Sequence, residues 1–143
     1  MSNNELKITE KQALSELEGR YSRAEEILKD INLTLDLVTN AEKQAEEIIE
    51  KGKKIGEKIK TFINLVKDYV QNEYVHIPYK SIVAIVAAII YFVNPGDIIP
   101  DVIPGFGHID DFTVITLCWK IIDLDVKAYQ EWKAIREQEE SKD

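Results

Sequence analysis

Residues 82–93 read IVAIVAAIIYFV, twelve consecutive positions without a charge or a strong polar group. An amphipathic helix turns one apolar stripe to a core, but a segment apolar on every side must be covered all round, by protein or by lipid. At ~1.5 Å per residue a helix of this length spans roughly 18 Å, short of the ~30 Å hydrocarbon layer of a bilayer. The segment is therefore either the central helix of a bundle, covered by the rest of the chain, or in contact with lipid, and alone it does not span a membrane. Pro78 sets its start, because the residue before a proline avoids helical geometry while proline itself suits a helix's first turn.

Immediately downstream, residues 91–111 read YFVNPGDIIPDVIPGFGHIDD and hold three of the four prolines, three of the six glycines and four aspartates. Ile98, Ile99, Val102, Ile103, Phe106 and Ile109 are interleaved among them, which a solvated loop would not carry. Helix capping accounts for much of this pattern. Asn94 would cap a short helix with Pro95 first and Asp97 third. Asp110 would cap the last helix, with Asp111 in its first turn, where the macrodipole favours negative charge. Pro104, Gly105 and Gly107 supply turns, and the prolines, Pro100 among them, keep two apolar helices in a fixed hairpin.

A cation site is the competing reading. Asp97 and Asp101 are four residues apart and share a face if Ile98–Pro100 is helical. His108, Asp110 and Asp111 would converge on them from the far side of the turn. Such an oxygen-rich set suits Mg²⁺, Ca²⁺ or Mn²⁺. No ligand spacing of a known cage is matched, so no cofactor is expected beyond that divalent cation. Paired carboxylates can also act as acid and base. Ser81, Thr113 and Thr116 have no histidine near them in sequence, no phosphate-binding glycine loop is present, and His76 reads as a turn residue. No residue is assigned a catalytic role, and the chain reads as non-enzymatic.

Downstream of the turn, the last helix should begin near Asp110–Asp111 and run past Trp132. Residues 112–122, FTVITLCWKII, are apolar nearly all round. After Asp123 the pattern becomes amphipathic, with Val126, Tyr129, Trp132 and Ile135 on one side, and REQEESKD forms a solvated tail. Upstream, Thr9 and Gln12 make a capping box that starts a first helix near Glu10, with Gly19 as its end. Ser22 and Glu25 make a second box. From there Ile27, Ile31, Leu35, Val38, Ala41, Ala45, Ile48, Gly52, Ile55, Ile59, Phe62, Val66 and Tyr69 follow helical spacing. A break near Thr39–Asn40, where polar and β-branched residues gather, would fold this stripe into an antiparallel hairpin; Gly52 and Gly56 are further weak helix formers. A sustained heptad stripe can also pair with a second copy of the chain, giving a homodimer.

Composition bounds the partners. The chain has 143 residues, 45% hydrophobic and 31% charged, as expected for one folded domain. A formal charge of −8 opposes phosphate backbones and argues against nucleic acid. Cys118 is the single cysteine, so no disulfide framework exists, and the opening MSNNELKITEKQ lacks a signal-peptide pattern. An intracellular protein is expected, cytoplasmic or membrane-associated. Lys51, Lys53, Lys54, Lys58 and Lys60, opposed only by Glu57, form a basic cluster that would be a solvated face, meet anionic headgroups or pair with the acidic turn.

The run Tyr91, Asn94, Pro95, Asp97, Ile99, Pro100, Asp101, Ile103, Pro104, Gly107, Asp110 and Asp111 resembles the core of the YkvA-like domain of unknown function, family 1232 of the unknown-function series. The match in order, with three prolines in register, covers about a quarter of the chain, and the flanking apolar helices also look like the family. Gly96 stands where the family usually has a larger apolar residue, and His108 where it is commonly apolar. The resemblance implies a small bacterial protein of a type often labelled membrane-associated, with no catalytic residues to carry over.

Together these readings give an all-α bundle of a single domain, residues 1–143. An amphipathic hairpin (22–78) packs on a YkvA-like core (79–125) that contains the acidic turn (94–111), and a polar helical extension follows (126–143). The expected function is a small interaction or membrane-associated module, whose partner is a protein or a membrane surface. The alternative is a divalent-metal protein, such as a hydrolase, using the aspartates. Helix length favours a bundle at or off the membrane surface, with a membrane hairpin of residues 82–93 and 112–122 as the other form.

Overall fold

The computed structural model describes residues 3–94 and 111–141. All regular elements among them are α-helices: α1 Asn3–Glu18, α2 Tyr21–Leu28, α3 Ile31–Glu50, α4 Ile55–Val70, α5 Tyr79–Val93, α6 Asp111–Ile121 and α7 Asp123–Ser141. The protein is an all-α helical bundle.

The apolar segment is its axis. Every residue of α5 from Ser81 to Phe92 is buried, and α1, α2, α3, α4 and α6 all pack against it. Pro78 precedes the helix in extended geometry (ψ 143°) and its carbonyl accepts the N–H of Ile82 at 3.2 Å, closing the first turn. Each buried Val or Ile side chain contributes on the order of 1.5–3 kcal/mol. An all-round apolar helix is therefore stable here only because five neighbours cover it.

The helical hairpin forms, but it turns elsewhere than expected. α3 runs unbroken through Thr39 and Asn40, and the chain reverses after Glu50. Both residues are exposed, so their weak helix propensity costs only a few tenths of a kcal/mol. Burial of Val38 and Ala41 beside them outweighs it. The reversal uses Gly52 at φ +76°, a left-handed conformation that side chains avoid. Gly56 then lets α4 approach α3, since a Cβ there would lie 2.6 Å from Ile49 Cγ1 and 3.3 Å from the Ala45 carbonyl oxygen.

A second break interrupts the N-terminal stripe. Asp30 caps α3, its Oδ1 accepting the N–H of Asn32 (2.9 Å) and of Leu33 (3.3 Å), while Thr34 Oγ1 donates to the Ile27 carbonyl at 2.7 Å. The new helix faces the core with Thr34, Val38, Ala41 and Ala45, and Ile31 is left exposed. The expected capping boxes do not mark helix starts. α1 passes through Thr9 without interruption from Asn3, and Ser22 lies inside α2, whose N-cap Arg20 makes no side-chain cap bond. Packing of α1 and α2 on α5 fixes these ends more strongly than local capping. Gly19 does follow the end of α1, and α6 does begin at Asp111.

The last helix is interrupted at Ile122, although N–H bonds from Ile122 to Cys118 and from Val126 to Ile122 carry the winding across. α7 continues past Trp132 and is strapped to the end of α4. Tyr129 Oη donates to Asp68 Oδ2 at 2.6 Å, Lys133 bridges to the same carboxylate at 3.2 Å, and Arg136 pairs with Glu73 at 2.7 Å. Rings of Tyr74, Tyr129 and Trp132 fill the space between.

Candidate functional site

The acidic motif leaves α5 at Asn94 and rejoins the bundle at Asp111. Asn94 is the C-cap of α5, its N–H bonded to the Ile90 carbonyl at 2.9 Å. Asp111 is the first residue of α6. Pro95, Asp97, Pro100, Asp101, Pro104, Gly107, His108 and Asp110 lie outside the described residues, and the capping and cation readings of the turn both rest there. Among the described residues, no group of three or more His, Cys, Asp or Glu could hold a metal ion.

Where the motif departs, the bundle holds a buried polar ladder. Tyr91 is fully buried, and the guanidinium carbon of Arg20 sits 4.7 Å from its ring centroid. Arg20 Nη1 donates to Glu16 Oε2 and to the Glu16 carbonyl, both at 2.9 Å, and Gln12 Nε2 donates to Glu16 Oε1 at 3.4 Å. All three side chains are at most 3% exposed. A charge removed from water this completely is tolerated only when paired and hydrogen-bonded, and the pair fixes geometry more than it adds stability. Its effect is to key the α1–α2 corner onto the motif's tyrosine. Sequence reading missed it. The four-residue spacing of Gln12, Glu16 and Arg20 beside apolar Ala13 and Leu17 was the available signal, but Gly19 between the last two marks a helix end and breaks the register.

The opposite end of the α5–α6 pair is different in character. Ser81 Oγ donates to Asp125 Oδ2 at 2.5 Å, joining α5 to α7. The Cys118 thiol is buried, 3.5 Å from the Ala84 carbonyl, and burial pushes its pKa far up. Neither group is presented as a nucleophile. His76 lies outside the helices, edge-on to Tyr74 with centroids 6.1 Å apart. Of the basic cluster, Lys58 lies over the Trp119 ring at 5.3 Å, and Lys51, Lys53, Lys54 and Lys60 are exposed.

At this end α2, α5 and the α6–α7 junction enclose a groove of about 540 Å³. Tyr21, Tyr79, Val83 and Ile121 wall it, and Glu25 and Lys80 stand at its rim. Burial first, then the Glu25 carboxylate, raises the Tyr79 phenol above its ordinary pKa. Tyr79 and Ile121 are about half exposed, and Leu124, one turn beyond Ile121, is 80% exposed.

The family model described as "Protein of unknown function (DUF1232)" matches residues 81–117, from the first buried turn of α5 to the middle of α6. The chain is 40% identical over 81 residues to "Uncharacterized membrane protein YkvA" of Bacillus subtilis (strain 168), a match that covers 57% of this chain and 76% of the relative. No solved structure matches. With the motif, its two flanking helices and a relative aligned over three quarters of its length, the chain belongs to the YkvA-like DUF1232 family.

Proposed function

We propose that this protein is a non-enzymatic helical module that attaches to a membrane surface as a folded bundle. One observation carries the reading. The apolar helix α5, the segment with most reason to seek lipid, is already enclosed by five helices, while Tyr79 and Ile121 stand half exposed on one groove and exposed Leu124 follows Ile121 by one turn. Contiguous exposed apolar residues mark contact surfaces. With 15 residues α5 is roughly 22 Å long, and no described helix is long and apolar enough to cross a membrane. The relative's name, a membrane protein, supports the same direction.

The test is flotation of the full chain with phospholipid vesicles at neutral pH, with Cys118 as an internal reporter. Surface attachment predicts that the chain floats with the vesicles while Cys118 stays protected from a lipid-soluble maleimide. Labelling of Cys118 in the floated fraction would mean that α5 and α6 open into the bilayer, and failure to float would overturn the membrane reading.

A further inference from the structure

The groove at the α5 N-terminus combines features that no part of the fold requires. Its walls are apolar and aromatic, and its volume of about 540 Å³ lies in the range of small-ligand sites. Glu25 and Lys80 both line it, and neither forms an ion pair among the described residues. Opposite charges on one small rim, unpaired among the described residues, select against simple ions. An anion would meet Glu25, a cation would meet Lys80, and a fatty acid would leave Glu25 unmatched. A ligand carrying both charges and an apolar body satisfies every wall.

We propose that this groove binds the headgroup and upper acyl chain of a zwitterionic phospholipid, with Lys80 on the phosphate and Glu25 on the ammonium. Tyr21 and Tyr79 offer aromatic surface to the ammonium, an interaction favoured by the ring quadrupole. Val83 and Ile121 receive the first methylenes of the chain. The half-exposed Tyr79 and Ile121 line the groove, so its mouth would rest in the headgroup layer when the bundle docks. The site lies toward the end of α5 opposite Asn94. The assignment rests on the membrane reading above and names the lipid class that reading leaves open.

The probe is dihexanoyl-phosphatidylethanolamine below its micelle concentration, titrated into the full chain by calorimetry with amide shifts of residues 79–84 followed in parallel. Dihexanoyl-phosphatidylglycerol, which lacks the ammonium, is the comparison. The expected result is saturable binding, at least tenfold tighter for the ethanolamine lipid. Lys80→Ala should weaken both lipids at least tenfold, and Glu25→Gln should weaken only the ethanolamine lipid and erase the preference. Both positions are on the surface, and thermal melts of the variants establish that the fold is kept. Non-saturable binding, binding indifferent to both substitutions, or amide shifts that follow protein concentration without lipid, as a second copy in the groove would give, each overturn the assignment. Vesicle flotation separates the two claims. Flotation without short-chain lipid binding removes the groove and keeps the attachment, and saturable binding without flotation does the reverse.

Discussion

Arg20 and Tyr91 are seventy-one residues apart in sequence, yet the guanidinium of one lies 4.7 Å from the ring centroid of the other inside the bundle. The contact ties the first helices to the residue with which the family motif begins. Glu16 makes it tolerable by neutralising the buried cation at 2.9 Å.

Arg20→Met should therefore be severe. It leaves the Glu16 carboxylate, 1% exposed, without its counter-charge, and breaking such a pair costs roughly 3–5 kcal/mol. Replacing both residues, Glu16→Leu with Arg20→Met, should recover most of that loss because both members of the buried pair are then removed. Urea unfolding midpoints of the two single variants and the double variant decide it. A double variant as unstable as Arg20→Met alone would show that Glu16 was not the source of the penalty.

The two glycines of the α3–α4 hairpin should respond to alanine for different reasons. Gly52→Ala meets nothing within 4 Å but inherits φ +76°, which costs roughly 1–2 kcal/mol for an L side chain. Gly56→Ala keeps a helical backbone but overpacks against Ile49 and the Ala45 carbonyl, at about 1–3 kcal/mol. Adding Ile49→Ala should rescue Gly56→Ala in part and leave Gly52→Ala without benefit, as thermal melts of the four variants would report.

Stability should fall steeply in alkali. Burial raises the Cys118 thiol above its usual 9.0, and burial with the Asp68 hydrogen bond raises the Tyr129 phenol above its usual 10.0. Both groups hold their protons more firmly folded than unfolded, so their contribution is complete below about pH 9 and is lost as pH rises, first through the thiol and then the phenol. Tyr21, Tyr74 and Tyr79 are shifted in the same direction. Melting temperatures between pH 8 and pH 11 should drop, and Cys118→Ala with Tyr129→Phe should flatten the profile. A flat wild-type profile would contradict the burial of both groups. An alkaline wash, commonly used to strip peripheral proteins from membranes, would act on this fold itself, which is why the flotation is set at neutral pH.

If Asp110 caps α6, which starts at Asp111, Asp110→Ala should cost about 1 kcal/mol. On the capping reading, adding Mg²⁺, Ca²⁺ or Mn²⁺ leaves that loss unchanged. A metal-dependent rise in wild-type melting temperature that disappears in the variant would instead favour a cation site that uses Asp110, the reading that groups it with Asp97, Asp101, His108 and Asp111.

Much of the fold is legible because α5 admits few alternatives. A twelve-residue apolar run bounded by Pro78 could only be central or in lipid, and the 27–69 stripe was the obvious cover. What could not be read was which part of that stripe turns inward. Asp30 restarts the helix and rotates its face, so Ile31 points out and Thr34 points in, and no propensity foretells that rotation. The α3–α4 turn was misplaced because Thr39–Asn40 resembles a break in composition, while the positive φ that makes Gly52 the turn is a backbone property. The Glu16–Arg20–Tyr91 contact was hidden for a different reason. It spans a helix end and a long sequence separation, and only tertiary packing brings its parts together. The groove's Glu25 and Lys80 are ordinary surface charges until α2 and α5 are placed side by side.

Within the family segment, residues 81–117, α5 lies at the centre of the bundle, covered by five other helices. Cut from its surroundings, α5 would present twelve apolar side chains to solvent and would partition into detergent or bilayer whatever its native address. Where such a chain is found in a cell therefore depends on how much wrapping accompanies the segment. The same sequence, sheathed or bare, would be a core in one setting and an anchor in another, and here four N-terminal helices and α6 supply the sheath.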